Sequence, residues 1–280
     1  MLISPKILLA NALNEDYAVP AFNYYNLDTL MAVIKAAEAE RSPVIVAMYF
    51  THFLHYDKGA MIAAASLKKI EETDVPIALH LDHSSNYECV MRAVRCGFNS
   101  VMYDGSANPL DENINITKKV VEVAQALDIY TEGELGRIMR VGAEDENDEP
   151  EITNVEEAVR LVKETGVDSL APAIGTAHGM YKKEPTIHFD RLKEIYEAVK
   201  VPLVMHGGSG IPDEMIKKSI KCGVRKINVG TELKYMWSNT MREKLNDGEM
   251  EPIKLAQSAI DAVQEVAKEK IRLFGSNNRA

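Results

Sequence analysis

Short apolar runs alternate with amphipathic stretches along the whole chain. The runs fall at residues 19–22, 44–47, 77–80, 100–103, 129–134, 169–173, 203–206 and 226–229. Each has the length of a strand buried on both faces. Between them, residues 28–40, 86–95, 113–127, 155–165, 189–199 and 213–221 carry apolar side chains at helical spacing. This alternation predicts parallel strands joined by crossover helices. Eight such units within 280 residues favour a closed (β/α)8 barrel, a TIM barrel, over an open doubly wound sheet. Residues 252–274 read as an additional C-terminal helix that closes the barrel or meets a second subunit. No linker or repeat divides the chain, so residues 1–280 are read as a single (β/α)8 domain.

Polar residues fall where the predicted strands end. In VPIALHLDHS, residues 75–84, an apolar run stops in two histidines and an aspartate. Strict alternation would send Asp82 and His83 to opposite sides of the strand. Barrel enzymes draw their catalytic groups from the C-terminal ends of several strands. That rule collects His80, Asp82 and His83 after strand three, Asp104 after strand four, and Glu132 and Glu134 on strand five. It adds His178 after strand six, His206 on strand seven and Asn228 on strand eight. A single histidine at a strand end is more often a hydrogen-bonded core residue than a ligand. Three at corresponding strand ends, in a chain with seven histidines, point to a metal with an open coordination position. Structural carboxylates that cap helices are the alternative reading of Asp104 and Glu134. Asp82 reads as a proton-transfer group, with orientation of a neighbouring histidine as the alternative.

Gly179, Gly207, Gly208 and Gly210 follow the histidines of strands six and seven. Glycine lets backbone amides approach an anion, and barrels often hold phosphate near strands seven and eight. Beside the histidines, these turns predict a phosphorylated substrate. The acidic stretch 143–151 directly follows strand five. It reads as a solvated loop or as a mobile loop over the site.

Bulk composition narrows the partners. A net charge of −10 argues against nucleic acid. No apolar run reaches membrane-span length and no signal-peptide pattern appears, so no membrane partner is expected. The three cysteines, Cys89, Cys96 and Cys222, show no metal spacing and read as free thiols in a reducing compartment, giving a cytoplasmic expectation. Nucleotide-binding glycine motifs are absent from the sequence. The sixth candidate strand has no lysine for a Schiff base.

Taken together, HLDHS at 80–84, YDGS at 103–106, EGELG at 132–136, IGTAHG at 174–179, HGGSG at 206–210 and KINVGTE at 226–232 resemble the class II, metal-dependent ketose-bisphosphate aldolases. The likeness spans nearly the whole chain and includes Phe22-Asn23. It implies zinc on His83, His178 and His206, with Asp104 and Glu134 at a second metal position. Asn23 and Asn228 would contact substrate. Gly179, Gly207, Ser209 and Thr231 would hold the C1 phosphate, with a monovalent cation, Na+ or K+, nearby. By the same resemblance, zinc polarises the ketose carbonyl, Asp82 takes the C4 hydroxyl proton, and the C3–C4 bond breaks. A loop acid then protonates the triose; Glu144 is the candidate, with Asp145 or Glu146 as substitutes. The implied activity is reversible cleavage of fructose 1,6-bisphosphate to dihydroxyacetone phosphate and glyceraldehyde 3-phosphate, a step of glycolysis, by a homodimer or homotetramer.

Three departures bear on substrate choice. The family's glycine-glycine-acidic pattern after ELG is replaced by RIMRVGAED at 137–145. Its Asn or Asp two residues past the strand-eight Asn is Gly230, and its small residue near strand two is Tyr49 or a neighbour. Arg137 and Arg140 either meet an anion or are solvated loop residues. Tagatose 1,6-bisphosphate and another ketose 1-phosphate therefore stand beside the default substrate. A metal-dependent phosphosugar isomerase or epimerase, and a non-catalytic zinc-binding subunit of an aldolase complex, are the competing classes.

Overall fold

The computed structural model describes residues 1–142 and 151–280. Its strands are β1 (Val19–Asn23), β2 (Val44–Tyr49), β3 (Ile77–Ser84), β4 (Ser100–Tyr103), β5 (Tyr130–Leu135), β6 (Met139–Arg140), β7 (Ser169–Pro172), β8 (Ala177–His178), β9 (Leu203–Met205) and β10 (Val224–Val229). Eight of them form a closed parallel barrel in the order β1-β2-β3-β4-β5-β7-β9-β10, with β10 returning to β1. This is the expected (β/α)8 architecture. The remaining pair, β6 and β8, makes a separate two-stranded sheet. Both are too short to show a period in the sequence.

Two apolar clusters reveal which way each strand residue points. Ile77, Leu79 and Leu81 of β3 pack in the large cluster that includes residues from the surrounding helices. Ala78 belongs instead to a smaller cluster with Val19, Ala21, Ile45 and Tyr130. Alternation therefore sends Ala78, His80 and Asp82 inward, and likewise Tyr130, Glu132 and Glu134 on β5. The helix Pro5–Glu15 contributes Leu8, Leu9 and Ala12 to the inner cluster. It is capped by the Ser4 side chain, which accepts from the Lys6 amide, and proline opens its first turn. Each buried leucine contributes about 1.5–3 kcal/mol. The barrel interior is thus apolar at the strands' N-terminal ends and becomes polar towards their C-terminal ends.

The additional helix runs Pro252–Leu273. It packs against the helices Leu27–Glu40 and Thr231–Asn246, over the seam where β10 meets β1. Among the described residues, no helix is long and apolar enough to cross a membrane.

Candidate active site

A bulge in β3 builds the centre of the site. The register with β4 shifts between Leu81 and Ser84, and His83 adopts φ +51°. A non-glycine residue in this left-handed region is uncommon and carries strain of about 1–3 kcal/mol. The bulge overrides the alternation expected from the sequence. Asp82 and His83 line the same cavity instead of facing opposite ways.

The His83 ring meets two others edge-on, at 4.6 Å from His178 and 4.4 Å from His206 between centroids. One ligand nitrogen from each of the three lies within 4.8 Å of the others. His83 also joins a second group with Asp104 and Glu134. Its Nδ1 lies 3.0 Å from Asp104 Oδ2 and 3.5 Å from Glu134 Oε2. Its Nε2 is buried with no hydrogen-bond partner. A buried imidazole nitrogen left open among imidazoles suits a cation of the nitrogen-loving kind, such as zinc. The residues present therefore fit the implied metal.

Electrostatics agree with that fit. Burial opposes a proton on His83, but the charge of Asp82, with Asp104 and Glu134, raises its pKa to about 10. Burial pulls His178 down to about 3, helped by the positive charge of His83, and depresses His206 well below its ordinary value for the same reasons. Burial, then the neighbouring Asp104, pushes the Glu134 carboxyl well up. Asp104 resists its own burial because the His83 hydrogen bond and charge hold it below the usual carboxylate range. The acidic neighbours thus favour positive charge at His83, which a divalent ion would also supply.

Asp104 caps no helix, since Leu110–Ala126 opens after Pro109 without a side-chain cap, and it belongs to a group that could hold a metal. Its Oδ1 accepts from the Ser106 amide and hydroxyl, fixing the turn, while Oδ2 faces His83.

Asp82 is held from both sides. Asn23 Nδ2 donates to its Oδ2 at 2.8 Å, and Asn228 Nδ2 donates to its Oδ1 at 3.0 Å. Burial works against the ionised form, yet the charges of His83, His206 and Lys226 and the Asn23 bond lower its pKa to about 2. It is therefore a carboxylate fixed on the cavity wall; among the described residues its side-chain hydrogen bonds go to Asn23 and Asn228, and His80 Nε2 stands 4.0 Å from its Oδ1.

Glu132 and His80 lie one layer deeper than expected, below the cavity rather than on it. Glu132 contacts Lys226, whose ammonium donates to its Oε2 at 2.6 Å, and His206, whose Nε2 lies 2.8 Å from its Oε1. The sequence reading missed Lys226. It began the last strand at residue 226, where a lysine looks like a solvated strand start. The strand begins at Val224, which places Lys226 mid-strand and 1% exposed.

Gly179, Gly207, Ser209 and Thr231 line the same cavity as Asp82, as do Asn23 and Asn228. Thr231 opens the helix Thr231–Asn246, whose first-turn amides favour an anion. The Tyr181 hydroxyl ties the two glycine turns together: it accepts from the Ala177 amide and donates to the Gly207 carbonyl. Gly207 has φ +69°, and an added Cβ would stand 2.3 Å from the Ala177 carbonyl oxygen. Gly207→Ala is therefore expected to cost about 1–3 kcal/mol and to weaken phosphate binding, read as a lower Tm and a raised KM.

An aromatic rim surrounds the cavity, which has a volume of about 310 Å³. Tyr49 lies 6.0 Å from the His83 ring, and Tyr25 packs edge-on to His52 at 5.2 Å. Arg140 Nη2 lies 3.5 Å from the Tyr49 hydroxyl. Of the histidines outside the sequence pattern, His52 reaches this rim, on the helix Phe50–His55. A Cβ at Gly230 would come within 2.9 Å of both Asn23 Oδ1 and the Tyr25 hydroxyl. Tyr25, also missed from sequence, fills the space that a side chain at 230 would need. Glu144, Asp145 and Glu146 lie outside the described residues.

A parallel barrel with three facing imidazoles and a buried carboxylate at its mouth has the build of a barrel enzyme with a metal site. The family model for class II fructose-bisphosphate aldolases matches residues 3–279. The chain belongs to that family. It is similar to the YdjI aldolase of Escherichia coli K12, at 37% identity over 100% of both chains with a TM-score of 0.90. A Coccidioides immitis protein provisionally assigned as a fructose-1,6-bisphosphate aldolase is 33% identical, covering 98% of this chain and 96% of that one, with a TM-score of 0.90. The fructose-bisphosphate aldolase of Campylobacter jejuni shares 22% identity over 100% of this chain and 97% of its own, with a TM-score of 0.85, a likeness of fold.

Proposed function

We propose that this protein is a zinc-dependent aldolase that reversibly cleaves a ketose 1,6-bisphosphate, by default fructose 1,6-bisphosphate, to dihydroxyacetone phosphate and glyceraldehyde 3-phosphate. The observation that carries the reading is the open Nε2 of His83, set among His178 and His206 beside a carboxylate held ionised. His83, His178 and His206 would hold the zinc, with Asp104 and Glu134 offering a second position. When bound, the metal supplies Lewis-acid polarisation of the substrate carbonyl.

The chain's own groups supply the rest. Asp82 takes the proton of the hydroxyl two carbons from that carbonyl, and loss of the proton drives cleavage of the intervening bond. Asn23 and Asn228 hold the Asp82 carboxylate in place through its two oxygens. The turns at Gly179 and Gly207, with Ser209 and Thr231, cradle the phosphate next to the carbonyl, with Na+ or K+ beside it. Glu144 is the candidate acid that returns a proton to the triose. In this reading the enzyme works in the cytoplasm as a homodimer or homotetramer.

One observation favours a second reading, a ketose 1-phosphate with a different distal group. Tyr49 and Tyr25 line the side of the cavity where the family places small or amide side chains, and Arg140 stands beside them.

The test measures triose release from fructose and tagatose 1,6-bisphosphates and from ketose 1-phosphates, before and after chelation. Turnover lost on chelation and restored by zinc is expected. Turnover that survives full metal removal overturns the metal's role. An intact carbon chain in every product, with zinc bound, replaces the aldolase reading with an isomerase.

A further inference from the structure

We infer that Glu132, anchored by the buried ammonium of Lys226, is a positioning residue that fixes the tautomer of His206 and so presents its Nδ1 lone pair to the metal. The inference rests on the reading of His206 as a ligand.

Hydrogen-bond bookkeeping around Asp82 gives the direction. An ionised carboxylate only accepts, so Asn228 must turn its NH2 group towards Asp82 Oδ1, at 3.0 Å. The same Nδ2 lies 3.3 Å from His206 Nδ1. Facing a donor, that ring nitrogen is the unprotonated one. The proton of the neutral imidazole is then on Nε2, which lies 2.8 Å from Glu132 Oε1. Glu132 accepts it, so Nδ1 is the unprotonated nitrogen, the one a cation would take in place of the Asn228 contact.

Glu132 cannot turn away. Its other oxygen, Oε2, accepts from Lys226 Nζ at 2.6 Å. Both residues are 1% exposed, and such groups are rarely buried unless paired. Lys226 Nζ is also 3.5 Å from His80 Nε2, and His80 Nδ1 lies 2.7 Å from Ser100 Oγ. Ser100, His80, Lys226 and Glu132 thus form one connected polar layer beneath the cavity, spanning β4, β3, β10 and β5. Lys226 is sealed from the cavity by this layer, so its role is to hold Glu132 and not to attack a carbonyl.

A ligating histidine commonly donates its second N–H to a carboxylate, and loss of that partner typically weakens metal binding by about 10–100-fold. Glu132→Gln makes the inference specific. Lys226 would claim the amide oxygen, leaving the NH2 to face His206 Nε2. The His206 proton would then move to Nδ1 and block the ligand position.

The experiment pairs imidazole 15N NMR of the metal-free protein with zinc Kd from chelator competition, on wild type and Glu132→Gln. We expect an Nε2–H signature for His206 in wild type, its loss in the variant, and a zinc Kd raised by about 10–100-fold. If Glu132→Gln does not fold, the double variant Glu132→Leu/Lys226→Met removes both charges together, and the same two readouts apply. A folded variant that keeps the Nε2–H tautomer, or one with wild-type zinc Kd, overturns the inference. A wild-type protein that binds zinc but cleaves no ketose phosphate overturns the aldolase reading alone, because both readouts are taken without substrate.

Discussion

Asp82→Ala lowers the rate of carbon–carbon cleavage by about 10²–10⁴-fold, the usual worth of a positioned general base, and spares a partial reaction. Cleavage needs the hydroxyl proton removed, and Asp82 is the ionised carboxylate on the cavity wall, locked by Asn23 and Asn228. Proton exchange between dihydroxyacetone phosphate and solvent involves no such hydroxyl. It should therefore continue in the variant. Coupled triose assays and deuterium incorporation measured by NMR separate the two. Unchanged cleavage would remove Asp82 from the chemistry. Loss of both reactions with zinc still bound would assign it a different role.

The second large effect belongs to His83, the residue common to both groups that could hold a metal. His83→Ala takes a ligand from each. Turnover should fall to background, and zinc affinity should drop by more than the roughly 10–100-fold typical of losing an outer partner. A cost in stability should accompany it. In the metal-free protein the His83 proton is the positive charge nearest Asp104 and Glu134. Removing it leaves the buried Glu134 and the half-buried Asp104 without that partner, at a cost of about 1–3 kcal/mol. Chelator competition and thermal melts of the stripped protein read the two effects. Wild-type zinc affinity in the variant would refute the assignment of His83 as a ligand.

Much of this site was legible because parallel barrel strands are continuous apolar runs, so polar residues at their ends stand out. The strand-end rule brought His83, His178, His206, Asp82, Asp104, Glu134 and Asn228 to one end of the barrel, the family resemblance added Asn23, and the structure places them around two adjoining cavities. It failed where a period-two pattern carries no signal. A bulge inserts no unusual residue type, so the turn of His83 towards Asp82 could not be read. Glu132 and Lys226 point inward one layer below the site, and their pairing across β5 and β10 joins positions far apart in the chain. Tyr25 and His52 reach the rim from connections after β1 and β2, where no periodicity fixes a direction. The plug formed by Leu8, Leu9 and Ala12 was missed because an amphipathic segment does not reveal which end of a barrel it will fill.

The small sheet of β6 and β8 has a bearing on how this enzyme type can diversify. Before residue 143 the chain is pinned by the Val141 amide, which donates to the His178 carbonyl at 2.8 Å. After residue 150 it is pinned again, by the bridge of Ile152 to Ile174 and by Glu151, whose Oε2 accepts from the Arg137 amide at 2.7 Å. The Val141 bond and the Ile152 bridge hold the same connection, residues 174–178, which carries His178. All of these contacts are made by residues on either side of 143–150. Substitutions between residues 143 and 150 therefore leave the partners of these contacts, and the connection that carries His178, unchanged in sequence.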